Sequence, residues 1–229
     1  MEIGGLQKFS LIDYPGKICA VVFTQGCNFR CPYCHNPELA DPRLYGTCIP
    51  EEELFHFLAK RQGKLDAVTI TGGEPTIHSD LIEFVESTRA MDFLIKIDTN
   101  GSHPEVIERL IGSNLIDYIA MDVKAPLERY AEITESRINP ANIEKSIRLI
   151  MNSAIDYEFR TTIARSLLCE KDLLKIGEAI KGAGKLFLQR FVPSKTLDKS
   201  FAMEKTYSDE EFEGLKELLK GYVDNVAVR

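Results

Sequence analysis

Three of the six cysteines in this 229-residue chain, Cys27, Cys31 and Cys34, fall within the short stretch Thr24 to Pro37, TQGCNFRCPYCHNP. Thiols at x3 and x2 spacing can wrap one face of a metal cluster without help from elsewhere in the chain. Gly26 lets the backbone turn tightly ahead of them, and Pro32 stiffens the segment between the second and third. Four cysteine ligands would close a site, whereas three leave an open position, and in metal enzymes that is where substrate binds. Disulfides are the poorer reading, because a cytosolic chain keeps its thiols reduced. Zinc on Cys27, Cys31, Cys34 and His35 satisfies ligand type. However, adjacent Cys34 and His35 would strain a tetrahedral site, and a structural zinc has no use for a glycine-rich rim opposite it. Cys19 reads as a small core residue, Cys169 lies near a helix start, and Cys48 has no partner at ligand spacing.

The elements that must position this loop read as alternating strands and helices. KICAVVF is an apolar, β-branched run with the cysteine loop directly after it. Pro50 and the acidic run Glu51 to Glu53 open a helix, and AVTIT then runs into GGEP. Ser79 is the expected cap of a helix carrying Leu81, Ile82 and Val85, after which FLIKID ends in TNG. Pro104 to Ile111 forms a helix closed by Gly112, and YIAMDVK is the next strand. Further on, the pattern predicts a helix over Asn142 to Asn152, the strand YEFRTTIA, a helix over Lys171 to Lys181 and the strand LFLQRF. A helix capped by Ser208 with Glu211 follows, and NVAVR adds a last strand. The polar run PSKTLDKSFAMEKTYSDEE reads as a surface connection.

Such alternation argues for parallel βαβ units in an α/β fold, and the near-continuous apolar strands agree, since parallel strands are covered on both faces. No linker, low-complexity tract or charge block divides the chain, so residues 1–229 are expected to form a single domain. The unusual residues all fall at strand ends or on strands, and ligands of α/β folds bind at the carboxyl ends of the strands.

With 28 Lys+Arg against 35 Asp+Glu the formal net charge is −7, which provides no basic field for nucleic acid. The N-terminus lacks a basic region followed by an apolar run, and no segment approaches the roughly 20 apolar residues of a membrane span. The expectation is a soluble, cytoplasmic protein that binds neither nucleic acid nor membrane.

C-x3-C-x2-C after a first strand, with Tyr33 before the last cysteine and TGGEP after the second strand, resembles the radical S-adenosylmethionine (SAM) superfamily. The wider string SLIDYPG, FTQGCNFRCPYCHNPEL, TGGEP, DTNG and MDVK is similar to the glycyl-radical-enzyme activases. Within them it looks most like the activating proteins of anaerobic ribonucleoside-triphosphate reductase. Asp13, Pro15 and Gly16 and the string YCHN are also shared with the pyruvate formate-lyase activating enzyme. The resemblance implies a partial (β/α)6 TIM-type barrel and a [4Fe–4S] cluster on Cys27, Cys31 and Cys34, with SAM chelating the fourth iron. It places Tyr33 by the adenine and Asn36 near the SAM carboxylate. It gives the SAM amino group to Gly72, Gly73 and Glu74, through backbone at the glycines and through the Glu74 carboxylate. It implies a monovalent cation beside SAM on Asp98, Thr99 and Asp122, and SAM contacts from Lys124 and Arg160. Glycines do let a backbone approach a ligand closely, and a carboxylate complements an ammonium. Alone, TGGEP and DTNG read equally as turns, and MDVK as a simple ion pair across one strand face.

The chemistry implied is reductive cleavage of SAM to methionine and a 5′-deoxyadenosyl radical, which removes hydrogen from a glycine of a partner glycyl radical enzyme. Asp13 reads either as a partner contact or as a turn aspartate. The chain lacks the cysteine-rich insertions that would hold further clusters, so flavodoxin or ferredoxin is the expected electron donor. Alternatives are activation of a pyruvate formate-lyase type enzyme, a radical SAM enzyme acting on a small molecule, and a non-catalytic iron–sulfur electron-transfer module. The last predicts a closed site and leaves TGGEP and MDVK without a role.

Overall fold

A computed structural model describes all 229 residues, Met1–Arg229. One eight-stranded sheet carries its strands side by side in sequence order. β1 (Ile3–Ser10) runs antiparallel to β2 (Cys19–Thr24). Every later strand pairs parallel with the one before it: β3 (Ala67–Gly72), β4 (Leu94–Thr99), β5 (Tyr118–Asp122), β6 (Asp156–Ile163), β7 (Leu186–Arg190) and β8 (Val226–Val228). The sheet is not closed between β8 and β1, which makes the fold a partial barrel. The six strands read from the sequence are β2 to β7, and NVAVR supplies β8. β1 lies outside that reading. Gly4, Gly5, Gln7 and Lys8 interrupt its apolar pattern, because an edge strand with one partner need not be apolar on both faces.

The connecting helices are α1 (Pro37–Ala40), α2 (Glu51–Ala59), α3 (Leu81–Arg89), α4 (Pro104–Gly112), α5 (Tyr130–Ile133), α6 (Pro140–Met151), α7 (Glu170–Ala179) and α8 (Asp209–Leu219). The capping box of Ser208 and Glu211 forms as expected at α8. At α3 the N-cap is Asp80 rather than Ser79, without a side-chain cap bond. α6 starts earlier than expected because Pro140 supplies its first turn and Asn139 accepts from the Ala141 amide. Cys169 caps α7 in a reciprocal pair with Asp172, which gives that thiol a structural role.

Strand side chains alternate between faces, and the two faces build different layers. The outward set, including Val22, Ile70, Ile97, Ile119, Phe159 and Leu188, joins the helices in one core of 45 buried residues. The inward set begins as a small apolar plug of Tyr14, Cys19, Val21, Ala67, Tyr118 and Ala120. Towards the carboxyl ends of the same strands it turns polar, through Thr71, Asp98, Asp122, Arg160 and Gln189. Register places Asp122 directly opposite Arg160 across β5 and β6, whereas Asp98 lies opposite Ala120 and Gln189 opposite Thr162, so the polar residues step along the strands around the sheet.

Candidate active site

The cysteine loop is tied to its surroundings at several points before any ligand is considered. Gly26 adopts φ +113°, a conformation that favours glycine, and its amide donates to the Leu39 carbonyl at 2.8 Å. Arg30 clamps the loop from its outer side, donating to the carbonyls of Cys27 at 2.6 Å and Phe29 at 2.7 Å. Asn100, in the DTNG turn, donates to the Asn28 side chain at 2.9 Å, and Asn28 donates to Ser102 at 2.9 Å. The run after β7 is more than a surface connection. The Leu197 amide donates to the Cys34 carbonyl at 3.0 Å and the Asp198 amide to the Pro32 carbonyl at 2.9 Å. His35 stacks on Phe191 with ring centroids 5.2 Å apart and bonds the Val192 carbonyl, which makes it a fixture of the same lid.

A cavity of about 270 Å³ opens at the carboxyl ends of the strands, and every residue assigned to the site from the sequence lines it. The loop contributes Cys27, Cys31, Tyr33, Cys34 and Asn36; the strand ends contribute Gly72, Gly73, Glu74, Asp98, Thr99, Asp122, Lys124 and Arg160. All six cysteines are free thiols. Burial pushes the thiols of the loop up, Cys27 to about 12 and Cys31 to about 11, with Cys34 raised as well. Thiols so placed remain neutral until a cation stabilises the thiolate. No set of three donors converges on a point that a single ion could occupy, which argues against the zinc reading. Three sulfurs spread along one wall fit a cluster whose irons stand apart and take one thiolate each.

The glycine pair faces this wall. The Gly73 amide donates to the Thr24 carbonyl at 2.9 Å and the Glu74 amide to the Gly26 carbonyl at 2.7 Å. In a trans peptide the carbonyl points opposite the N–H, so the Gly72 and Gly73 carbonyls point away from β2 and the cysteine loop. They form an acceptor pair suited to an ammonium group. A Cβ on Gly73 would lie 1.9 Å from the Gly26 oxygen. Gly73→Ala is therefore expected to push the TGGEP ribbon off the cysteine loop and weaken SAM binding more than about tenfold, read by equilibrium dialysis.

The Glu74 carboxylate is engaged within the protein before any ligand is considered. It is 1% exposed and accepts from the Thr76 amide at 3.1 Å, the Thr76 hydroxyl, the Thr99 hydroxyl at 2.7 Å and the Asn100 amide at 2.6 Å. Burial raises its pKa against the pull of these donors. Glu74 is a brace that joins the TGGEP and DTNG turns, and Thr99 is committed to it. Tyr33 is buried with its hydroxyl unpartnered, a cost of about 1–3 kcal/mol that a ligand group at this point would remove.

Below the rim lies a chain of charges. The Arg160 guanidinium donates to Asp122 at 2.9 Å and to Asp98 at 3.0 Å. Lys124 pairs with Asp122 at 3.1 Å, and Lys96 pairs with Asp98. Burial works to raise both carboxylates, but the neighbouring cations overcome it, holding Asp98 below its ordinary range and Asp122 at about 2. Tyr130 fixes the turn after β5 by accepting from the Lys124 amide at 3.1 Å and donating to the Asp122 carbonyl at 3.2 Å. Sequence reasoning missed Lys96, Asn28 and Tyr130. FLIKID contained a signal for the first, a lysine two residues before Asp98 and therefore on its face.

Comparison with known protein families matches residues 21–167 to the radical SAM superfamily. The chain belongs to that superfamily. It is 37% identical over 235 residues to a Methanocaldococcus jannaschii protein named as a glycyl-radical enzyme activating enzyme, covering 99% of this chain and 95% of that one. The pyruvate formate-lyase-activating enzyme of Listeria monocytogenes is 34% identical over 133 residues, about half of each protein (54% and 53%). Among solved structures, SuiB of Streptococcus suis bound to S-adenosylmethionine superposes with a TM-score of 0.65 at 15% identity, over 91% of this chain and 51% of that one. That likeness shows a common fold. As a radical SAM protein this chain uses a [4Fe–4S] cluster and SAM, and the loop, the glycine ribbon and the unpartnered Tyr33 fit them.

Proposed function

We propose that this radical SAM protein generates a glycyl radical on anaerobic ribonucleoside-triphosphate reductase. The observation that carries the activase part of the reading is similarity along essentially its whole length to a protein named as a glycyl-radical enzyme activating enzyme; the choice of the reductase as target rests on the motif strings alone. An unclosed sheet supports it, since a partner's glycine loop needs lateral access to the cavity. When bound, the cluster and SAM supply one-electron cleavage of the S–C5′ bond and a radical able to remove hydrogen from glycine. The chain's own part is to bind, orient and exclude water. Cys27, Cys31 and Cys34 would hold the cluster, the Gly72 and Gly73 carbonyls would receive the SAM ammonium, Asn36 would stand near its carboxylate, and Lys124 would supply a further SAM contact. Phe29 and the apolar plug beneath the charges keep bulk water from the cavity floor. The remaining cysteines are dispersed, so the reducing electron comes from a separate donor such as flavodoxin or ferredoxin.

The test is to mix anaerobically reconstituted protein with SAM, a reductant and either anaerobic ribonucleotide reductase or pyruvate formate-lyase from the same source. The electron paramagnetic resonance spectrum is recorded while 5′-deoxyadenosine is quantified. The expected result is a glycyl-radical doublet on the reductase with matching deoxyadenosine. A doublet on the lyase alone would move the assignment to that partner, which the Listeria similarity favours. Deoxyadenosine with neither doublet would overturn both named targets and turn the assignment to another glycyl radical enzyme or a small-molecule substrate.

A further inference from the structure

The oxygens that the resemblance gives to a monovalent cation are already taken. Asp98 uses one oxygen on Lys96 and the other on Arg160 at 3.0 Å, with the Thr71 hydroxyl donating to that second oxygen at 3.2 Å. Asp122 uses one oxygen on Arg160 at 2.9 Å and the other on Lys124 at 3.1 Å. The Thr99 hydroxyl donates to Glu74 at 2.7 Å. A sodium or potassium ion here would have to be coordinated by carboxylate oxygens each of which already accepts from an ammonium or guanidinium group. It would also be a fourth positive charge beside two carboxylates that already face three.

Lys96 is the group that makes the difference. Its side chain is 3% exposed, on the inward face of β4 two residues before Asp98. A lysine so deeply buried needs a carboxylate partner, and Asp98 is the partner it has. Its ammonium also lies 5.9 Å from the centre of the Tyr118 ring, at the outer reach of a cation–π contact.

We infer that the Lys96 ammonium is a built-in counter-ion at Asp98 that takes the place of a monovalent cation, so that SAM binds to this protein without sodium or potassium. Lys96 is thus a positioning residue. It touches Asp98, and through Asp98 it fixes the Arg160 guanidinium at the edge of the SAM cavity. The inference rests on the placement of SAM in this cavity.

The experiment measures SAM binding to the cluster-loaded protein by equilibrium dialysis in choline, sodium and potassium chloride at matched ionic strength. The unaltered protein is expected to bind equally in all three, within about twofold, the residue of ordinary salt effects. Lys96→Ala, which opens space beside Asp98, is expected to bind about tenfold or more weakly in choline and to recover in potassium or sodium. Lys96→Met fills the same space without a charge and is expected to stay weak in every salt. The inference is overturned if the unaltered protein itself needs sodium or potassium, a result that stands whether or not either variant folds. It is overturned equally if Lys96→Ala carries an intact cluster and binds SAM as tightly as the parent in choline, or if its loss is restored by neither ion. Failure of the unaltered, cluster-loaded protein to bind SAM in any salt would instead overturn the placement of SAM, and this inference with it.

Discussion

Cys31→Ala should leave a folded protein that holds no intact [4Fe–4S] cluster and cleaves SAM at least about a thousandfold more slowly. Cys31 is the most deeply buried thiol of the loop and sits among core residues, so its sulfur cannot be replaced by a water or a neighbouring side chain without reopening the loop. The loop itself survives the change because its ties run through other groups: Gly26 to Leu39, Arg30 to the carbonyls of Cys27 and Phe29, and Asn28 to Asn100. Cys31→Ala replaces the thiol by hydrogen and removes one buried heavy atom, so a cost of about 1 kcal/mol is expected. Iron content, visible absorbance and deoxyadenosine yield read the loss, while circular dichroism reports the fold. Cys19→Ala, Cys48→Ala and Cys169→Ala form the contrast. Cys19 lies in the barrel plug, Cys48 accepts from Gln25 at 3.3 Å and Cys169 caps α7, so each should keep full cluster content. A Cys31→Ala protein with cluster and activity intact would sink the ligand assignment.

The strands that carry the site were legible because both of their faces are buried, which leaves uninterrupted apolar runs such as AVVF and AVTIT between turn residues. The motifs at their ends were legible for a related reason. A cysteine triplet, a glycine pair and inward carboxylates are poor choices for packing and stand out against apolar strands. What stayed hidden depends on partners distant in sequence. Nothing local says that Glu74 would be consumed by Thr99 and Asn100, since an exposed and a buried carboxylate read alike. Nothing local says that Lys96 would stay inside, because lysine on a strand is ordinarily solvated. β1 was missed because its glycines and lysine erase the period of two, and the lid after β7 because its contact with the cysteine loop runs through backbone amides that any residue carries.

Arg160→Met is expected to cost about 3 kcal/mol of stability and to slow SAM cleavage at least about a hundredfold, because it removes one cation shared by two buried carboxylates. The cost sits at the low end of the range for breaking a buried pair, since Asp98 keeps Lys96 and Asp122 keeps Lys124. The pH dependence separates this account from simple loss of packing. With Arg160 present, Asp122 titrates at about 2 against an ordinary 3.8. A carboxylate whose folded pKa is depressed contributes stability above its ordinary value and loses that contribution as pH falls through the folded value. Without Arg160 the burial of Asp122 is opposed by Lys124 alone, its folded pKa rises, and the loss begins at higher pH. The acid unfolding midpoint of Arg160→Met should therefore shift upward, beyond what its neutral-pH destabilisation produces in the double variant Arg160→Met with Asp122→Asn. In that double variant the part of the acid sensitivity that belongs to Asp122 should vanish, because that group is gone, while Asp98 keeps its own, and the two stability losses should be less than additive. Parallel acid-unfolding curves for the single and double variants would show that Arg160 acts by filling space. A larger shift in the single variant would show that it acts by holding Asp122 charged beside the cavity.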